Sequence, residues 1–241
     1  MKRTLILCFG VVTYVIFLAV FLRAIWFVWT MDSAAAQAPF VQALVTDAVL
    51  LGVFAVQHSV MARQGFKRAW TRIVPRAMER SMYVLVASLV LYAVVYFWQP
   101  MPTPMWHVQA AWAVMLLNVL FWIGWGILLI STFLINHFDL FGLKQVWGQW
   151  KGKQYEPPVF RIPGFYQFVR HPIYVGFLIA FWSAPQMTFG HLFFAVMCTG
   201  YILVAIQLEE RDLVKFHGED YKIYRSGVSM LVPWPRKRLQ P

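Results

Sequence analysis

The chain has 241 residues and a formal net charge of +11, and it is 60% hydrophobic and 13% charged. So few polar side chains cannot cover the surface of a water-soluble protein of this length, which excludes a soluble globular domain. The basic residues lie between long apolar segments and not on one face of a soluble domain, which argues against nucleic-acid binding. Cys8 and Cys198 lie in apolar segments with no C-x-x-C spacing and no nearby histidine ligands, so the sequence predicts neither a disulfide nor a metal site.

Five apolar segments reach or approach the length of about 20 residues that a bilayer-spanning helix needs. In chain order they are Leu5–Trp29, Val41–Val60, Met82–Trp98, Trp112–Ile135 and Ile173–Leu208. The first is too long for a signal-peptide core and has no small-x-small cleavage site, so we interpret it as a retained span. In the last, Pro185 and Gly190 bracket the polar interruption A-P-Q-M-T-F-G, which predicts a helical hairpin of one short and one ordinary span.

The sequence therefore predicts an all-α integral membrane protein with about six transmembrane helices, as a single domain over residues 1–241. Every Lys and Arg except Arg23 lies in Lys2–Arg3, Arg63–Arg80, Lys144–Arg170 or Arg211–Arg238. The connectors on the other side carry no Lys or Arg. By the positive-inside rule, both termini and a C-terminal helical segment are predicted to be cytosolic.

Ionisable side chains gather at the predicted cytosolic ends of the spans, where they are costly and indicate function. His58 lies about one helical turn before the first basic loop, and His137 and Asp139 follow the fourth span. Each also has a structural explanation. His58 could hydrogen-bond a neighbouring helix, and the segment from Asn136 to Asp139 could cap a helix C-terminus.

A second group surrounds the predicted hairpin. Arg170 and His171 precede Pro172, which is favoured at the first helical position, so they form the N-terminal end of the fifth helix. A turn near the middle of the interruption brings Glu209 and Glu210 back to the same level, because both helices rise equally per residue. The alternative for these acids is a solvated helix end with local ion pairs.

At these residues the sequence resembles the membrane methyltransferases related to isoprenylcysteine carboxyl methyltransferase. Their C-terminal signature is R-H-P-x-Y-x-G, a hydrophobic hairpin, then E-E with downstream Leu, Gly and Tyr. The chain has R-H-P-I-Y-V-G over Arg170–Gly176 and E-E-R-D-L-V-K-F-H-G-E-D-Y-K-I-Y-R over Glu209–Arg225, with His217 in place of the usual Phe. Through Q-H-S-V-M-A-R, N-H-F-D-L-F-G-L-K-Q-V-W and the extended R-H-P motif, the whole chain looks most like bacterial methanethiol S-methyltransferases and, more distantly, NnrU-type membrane proteins.

The resemblance implies an S-adenosylmethionine-dependent enzyme of the bacterial inner membrane that methylates a small thiol, most simply methanethiol to dimethyl sulfide. It implies a four-helix part over residues 1–135 and a cofactor-binding part over residues 136–241. Arg170 and the helix N-terminus would hold the cofactor carboxylate, and Glu209 or Glu210 its ribose hydroxyls or ammonium. His171, Tyr174 and Tyr221 would surround the remainder.

A small thiol is mostly protonated at neutral pH, so a base near its sulfur is expected. His137 and His58 are the predicted bases, with Asp139 as an orienting group or an alternative base. Two other functions stay open. One is methylation of a lipid-borne acceptor, a prenylcysteine carboxylate or a phospholipid amine. The other is a non-enzymatic membrane protein that binds haem or a quinone through His58, His137 and His171. Such a protein would not need the paired R-H-P and E-E motifs.

Overall fold

The computed structural model describes residues 2–156 and 159–234. Within this part of the chain, five helices are long and apolar enough to cross a membrane: α1 Lys2–Thr30, α2 Phe40–Ala62, α4 Arg76–Phe97, α5 Ala111–Ile135 and α9 Phe189–His217. Shorter helices complete the order: α3 Gln64–Trp70, α6 His137–Leu140, α7 Leu143–Trp150, α8 Pro172–Trp182 and α10 Glu219–Gly227. The protein is thus an all-α integral membrane protein, as predicted.

The predicted apolar segments all form helices, and the last one divides in two as expected. The α8 helix has only 11 residues, about half the length that crosses a bilayer alone, so the number of complete crossings stays a prediction. The link between α8 and α9 ends at Thr188, which places Gly190 inside α9 and not in the predicted turn. The C-terminal helical segment is α10, and the basic residues Arg236–Arg238 of the predicted cytosolic tail lie outside the described residues.

Two short strands, which sequence analysis did not predict, pair in a two-stranded sheet. They are β1 Pro104–His107 and β2 Gln186–Thr188, and both lie in connectors between the predicted spans. Beyond the strands, the Val108 amide donates to the Pro185 carbonyl at 2.9 Å. The pairing supplies hydrogen bonds to backbone groups that would otherwise need water.

The chain forms two compact units that alternate along the sequence. The first comprises Met1–Thr103, Asn136–Pro157 and Thr188–His191. The second comprises Pro104–Ile135, Pro158–Met187 and Leu192–Pro241.

In the first unit, the motif N-H-F-D-L-F-G makes a tight link between two left-handed residues. Asn136 has φ +102°, and its side chain accepts a hydrogen bond from the Asp139 amide at 3.3 Å. Gly142 has φ +89°, and a Cβ there would lie 2.6 Å from Ser81 Oγ, so both its backbone conformation and its close contact with α4 require glycine. Arg80 fastens the link by donating from Nε to the Leu140 carbonyl at 2.7 Å.

In the second unit, α5 and α8 pack closely through two glycines. A Cβ at Gly124 would lie 2.7 Å from the Gly176 carbonyl oxygen, and one at Gly176 would lie 2.6 Å from the Gly124 carbonyl oxygen. Small residues permit such backbone approach between helices in a membrane. Gly176 is the last residue of R-H-P-I-Y-V-G, so this motif glycine sets where α8 lies against α5.

Candidate functional site

The second unit brings the R-H-P and E-E motifs together, as the hairpin predicted. Arg170 Nε lies 2.7 Å from Glu210 Oε1, and His171 Nε2 lies 3.0 Å from the same oxygen. The side chains of Arg170 and Glu210 are only 10% and 7% exposed. Pro172 begins α8 at its first position and places both basic residues at the helix start. The buried Glu210 carboxylate therefore has two partners from one end of α8.

Arg170 also binds the last turn of α10 and the segment that follows it. Its Nη1 donates to the carbonyl oxygens of Arg225 at 3.0 Å and Val228 at 2.5 Å. The Arg170 amide donates to the Ser229 carbonyl at 2.8 Å, beside a parallel bridge between Val169 and Ser229. Among the described residues, Nη2 is the guanidinium nitrogen without a hydrogen bond. Most of the donor capacity that the sequence assigned to a cofactor carboxylate is thus used inside the protein.

Glu209 differs from its neighbour in exposure and partners. Its Oε2 accepts a hydrogen bond from Tyr174 Oη at 3.0 Å and lies 3.9 Å from His171 Nδ1. Its side chain is 45% exposed. Of the two carboxylates in the motif, Glu209 is therefore the one that can accept a hydrogen bond from a ligand.

Three tyrosines of this unit surround the acidic pair. Tyr221 is 2% exposed, and its buried hydroxyl has no hydrogen-bond partner among the described residues. Tyr224 Oη, by contrast, donates to the Tyr166 carbonyl at 2.6 Å. Burial raises the pKa of the Tyr166, Tyr221 and Tyr224 hydroxyls, so all three keep their protons at neutral pH. An unpaired buried hydroxyl costs about 1–3 kcal/mol, which a ligand acceptor at Tyr221 would recover.

Sequence reasoning missed Arg225. Its side chain is 48% exposed, and its Nη1 lies 3.9 Å from Glu210 Oε2. The spacing in the motif could have identified it, because Arg225 lies four residues after Tyr221 and therefore on the same face of α10. Arg225 offers this cluster a more accessible guanidinium than Arg170 does.

The predicted base His137 lies in the first unit and is 4% exposed. Its Nε2 is 2.7 Å from the hydroxyl of Tyr14, a residue that sequence analysis did not single out. The ring centroids of Phe138 and Phe141 lie 5.4 and 4.8 Å from the imidazole centroid. Burial lowers the pKa of His137 below its usual 6.5, so the imidazole is neutral at neutral pH and can accept a proton.

Asp139 has partners other than the one expected. Its Oδ1 accepts from Gln145 Nε2 at 2.9 Å, and its Oδ2 accepts from Tyr155 Oη at 3.3 Å. Burial, followed by the Asp139 charge, raises the pKa of Tyr155 to about 12, so this hydroxyl remains a donor. The predicted orienting bond from Asp139 to the His137 imidazole is not among the hydrogen bonds of the described residues. Asp139 instead fastens the start of α7 and the chain after it.

His58 fits the structural alternative. Its Nε2 lies 2.9 Å from Tyr83 Oη on α4, and its ring stacks on Phe54 with centroids 5.3 Å apart. Its Nδ1 is buried without a hydrogen-bond partner in the described part of the chain. His58 thus bonds a neighbouring helix, which neither assigns nor removes a chemical role.

Comparison with known proteins supplies the family. No protein-family model matches the chain, and no solved structure matches it. Methanethiol S-methyltransferase of Mycobacterium tuberculosis is 53% identical, covering 98% of this chain and 99% of the relative. Methanethiol S-methyltransferase of Crocosphaera subtropica is 49% identical over 99% and 95% of the two chains, and that of Pseudomonas sp. is 53% identical over 79% and 74%. The chain therefore belongs to the methanethiol S-methyltransferase family.

Proposed function

We propose that the protein transfers a methyl group from S-adenosylmethionine to methanethiol, giving dimethyl sulfide, at the cytosolic face of the bacterial inner membrane. The observation that carries the proposal is the cluster in which Arg170 and His171 hold Glu210 beside the exposed Glu209. It occurs in a chain whose relatives are named methanethiol S-methyltransferases. Family membership favours a methyltransferase over a non-enzymatic haem or quinone protein.

The donor and acceptor groups of the second unit fit S-adenosylmethionine. The exposed carboxylate of Glu209 can accept hydrogen bonds from its ammonium or ribose hydroxyls. The Tyr221 hydroxyl has a proton to donate and no protein partner among the described residues. Arg225, or the remaining amino group of Arg170, can pair with the cofactor carboxylate. When bound, S-adenosylmethionine supplies a methyl group on a positively charged sulfur.

The buried groups of the cluster hold the accessible ones in place. Glu210 accepts from both Arg170 and His171, so its charge is already compensated within the protein. Tyr174 hydrogen-bonds the Glu209 carboxylate and fixes its direction. We assign Arg170, His171 and Glu210 to positioning, and Glu209, Tyr221 and Arg225 to contact with the cofactor.

The first unit supplies the proposed base. Its neutral imidazole, His137, can take up the thiol proton, and S-adenosylmethionine, when bound, would supply the methyl group for the thiolate. The phenyl rings of Phe138 and Phe141 beside it give an apolar surface that suits a small apolar acceptor. His58 is the second candidate base, and Asp139 the third.

Purified protein in lipid nanodiscs tests the proposal. It is incubated with methyl-labelled S-adenosylmethionine and, separately, with methanethiol, a prenylcysteine or phosphatidylethanolamine, and products are followed by gas chromatography and scintillation counting. We expect labelled dimethyl sulfide, with turnover impaired by Glu209→Gln. Glu219→Gln is the matched control, because that carboxylate is 72% exposed and bonds Lys222. If the label appeared only in the lipid or the prenylcysteine, that molecule and not methanethiol would be the acceptor. If no product carried label, the proposal would be overturned.

A further inference from the structure

The imidazole of His137 and the hydroxyl of Tyr14 form a hydrogen-bonded pair that sequence analysis did not predict. Tyr14 lies on α1, 123 positions before His137, and its Oη is 2.7 Å from His137 Nε2. A hydroxyl at this distance from a neutral imidazole can donate its proton to the ring nitrogen. It also retains lone pairs that can accept a proton from another group.

Aromatic rings pack around this pair. The Tyr14 ring lies 6.1 Å from Phe17, 6.3 Å from Phe138 and 6.3 Å from Phe141, measured between centroids. Phe17 and Phe141 stack on each other at 4.0 Å. The His137 side chain itself is buried. The Tyr14 hydroxyl occupies the hydrogen-bonding position in front of its Nε2.

We propose that Tyr14 is a catalytic residue that relays the thiol proton to His137, an inference that rests on the proposed thiol methylation. The S–H bond of the thiol breaks as an O–H bond to Tyr14 forms, and the electron pair stays on sulfur. In the same step the original Tyr14 O–H bond breaks and an N–H bond to His137 Nε2 forms. The imidazolium later returns its proton to solvent, and Tyr14 ends the step as a neutral phenol.

The charged side chains around the pair have partners of their own. Asp139 directs its carboxylate to Gln145 and Tyr155. Arg80 binds the Leu140 carbonyl and stacks over the Tyr83 ring at 5.2 Å, which places its positive charge on the side of the other histidine–tyrosine pair.

Two thiols of similar size separate a proton relay from simple packing. Ethanethiol is mostly protonated at neutral pH, whereas 2,2,2-trifluoroethanethiol is much more acidic and needs little help from a base. For Tyr14→Phe with ethanethiol we expect kcat about 10²-fold lower, with little change in KM or in S-adenosylmethionine affinity. With the acidic thiol, or at high pH, the loss should shrink to a few-fold. Tyr92→Phe on the exposed part of α4 is the matched control and should keep full turnover.

Wild-type protein gives a second measurement that needs no variant. If two protons move in one step, kcat in mixtures of light and heavy water should follow a curved dependence on deuterium fraction, when the chemical step limits turnover. A straight line would overturn the relay.

The variants can also contradict the relay. Full turnover of Tyr14→Phe would do so, as would an equal loss of kcat with both thiols together with a lower melting temperature. If Tyr83→Phe lost turnover and Tyr14→Phe did not, His58 and not His137 would be the base. Absence of thiol methylation in wild-type protein would instead overturn the proposed function, and the relay with it.

Discussion

Glu209 and Glu210 are neighbours on α9, yet the side chain of Glu209 is 45% exposed and that of Glu210 is 7% exposed. The helix turns by about 100° per residue, so adjacent side chains meet different surroundings. One carboxylate is enclosed by Arg170 and His171, and the other is open beside Tyr174. A repeated residue in the motif thus provides one structural and one accessible acid.

Substitution of the two acids should separate stability from binding. Glu210→Ala leaves the Arg170 guanidinium buried without its carboxylate, which for a buried pair costs about 3–5 kcal/mol, so the melting temperature should fall markedly. Glu209→Ala should melt like wild type and bind S-adenosylmethionine more weakly. Differential scanning fluorimetry and calorimetry measure the two effects. Equal melting temperatures for both variants would contradict the division of roles.

Removal of the Tyr221 hydroxyl should weaken cofactor binding without harming the fold. Tyr221→Phe deletes a buried hydroxyl that has no partner among the described residues, so the melting temperature should stay the same or rise. Loss of one hydrogen bond of about 1 kcal/mol should lower S-adenosylmethionine affinity about fivefold. Tyr224→Phe is the contrasting variant, because it loses a bond to the Tyr166 carbonyl and should melt earlier. Unchanged affinity in Tyr221→Phe would remove this residue from the cofactor site.

Loss of the proposed base should affect turnover and not cofactor binding. His137→Ala should lower kcat by roughly 10²-fold, the low end for a general base, with S-adenosylmethionine affinity nearly unchanged. Raising the pH should restore part of the rate, since solvent then supplies thiolate. Full turnover across the pH range would leave His58, Asp139, or positioning and desolvation alone as the source of rate.

The fall of the wild-type kcat at low pH should reflect protonation of the His137 imidazole. Burial disfavours the imidazolium and lowers its pKa below 6.5, so the base is neutral at all higher pH values. As the pH falls, kcat should therefore hold through 6.5 and decline only below it, when the imidazole becomes protonated. A pH series with saturating thiol and cofactor measures this fall. A decline centred above 6.5 would contradict a buried, desolvated base.

Reporter fusions test the membrane orientation. The distribution of Lys and Arg predicts that both termini are cytosolic and that the connectors at Ala35 and Pro104 face outward. Alkaline phosphatase should be active when fused at those two positions, and green fluorescent protein should fluoresce at the C-terminus. A C-terminus found outside would show that α8 and α9 do not make the predicted return.

The apolar segments and the hairpin were predictable because length and equal helical rise are local properties. The five apolar segments form helices, and α9 places Glu210 next to Arg170 at the start of α8, as expected. The exposure of each acid was not predictable, since it depends on which side of α9 faces α8. The two strands also escaped prediction, because three or four residues in a connector carry no usable periodicity.

Partner choice across long distances was the other limit. Tyr14 is one of many aromatic residues on an apolar helix, and nothing in its neighbourhood distinguishes it until α1 packs against the link after α5. Asp139 was assigned to His137 from proximity in sequence, but helix geometry turns its carboxylate towards Gln145 and Tyr155. Sequence spacing selected these polar residues as candidates but could not predict their hydrogen-bond partners.

The contacts of Arg170 with the carbonyls of Arg225 and Val228 make the site depend on the chain beyond α9. Both acceptors are peptide groups, so these bonds depend on the course of the backbone and not on the identity of a side chain. A chain truncated before Arg225 would keep Arg170 and Glu210 but lack both acceptors, and its buried guanidinium would be only partly satisfied.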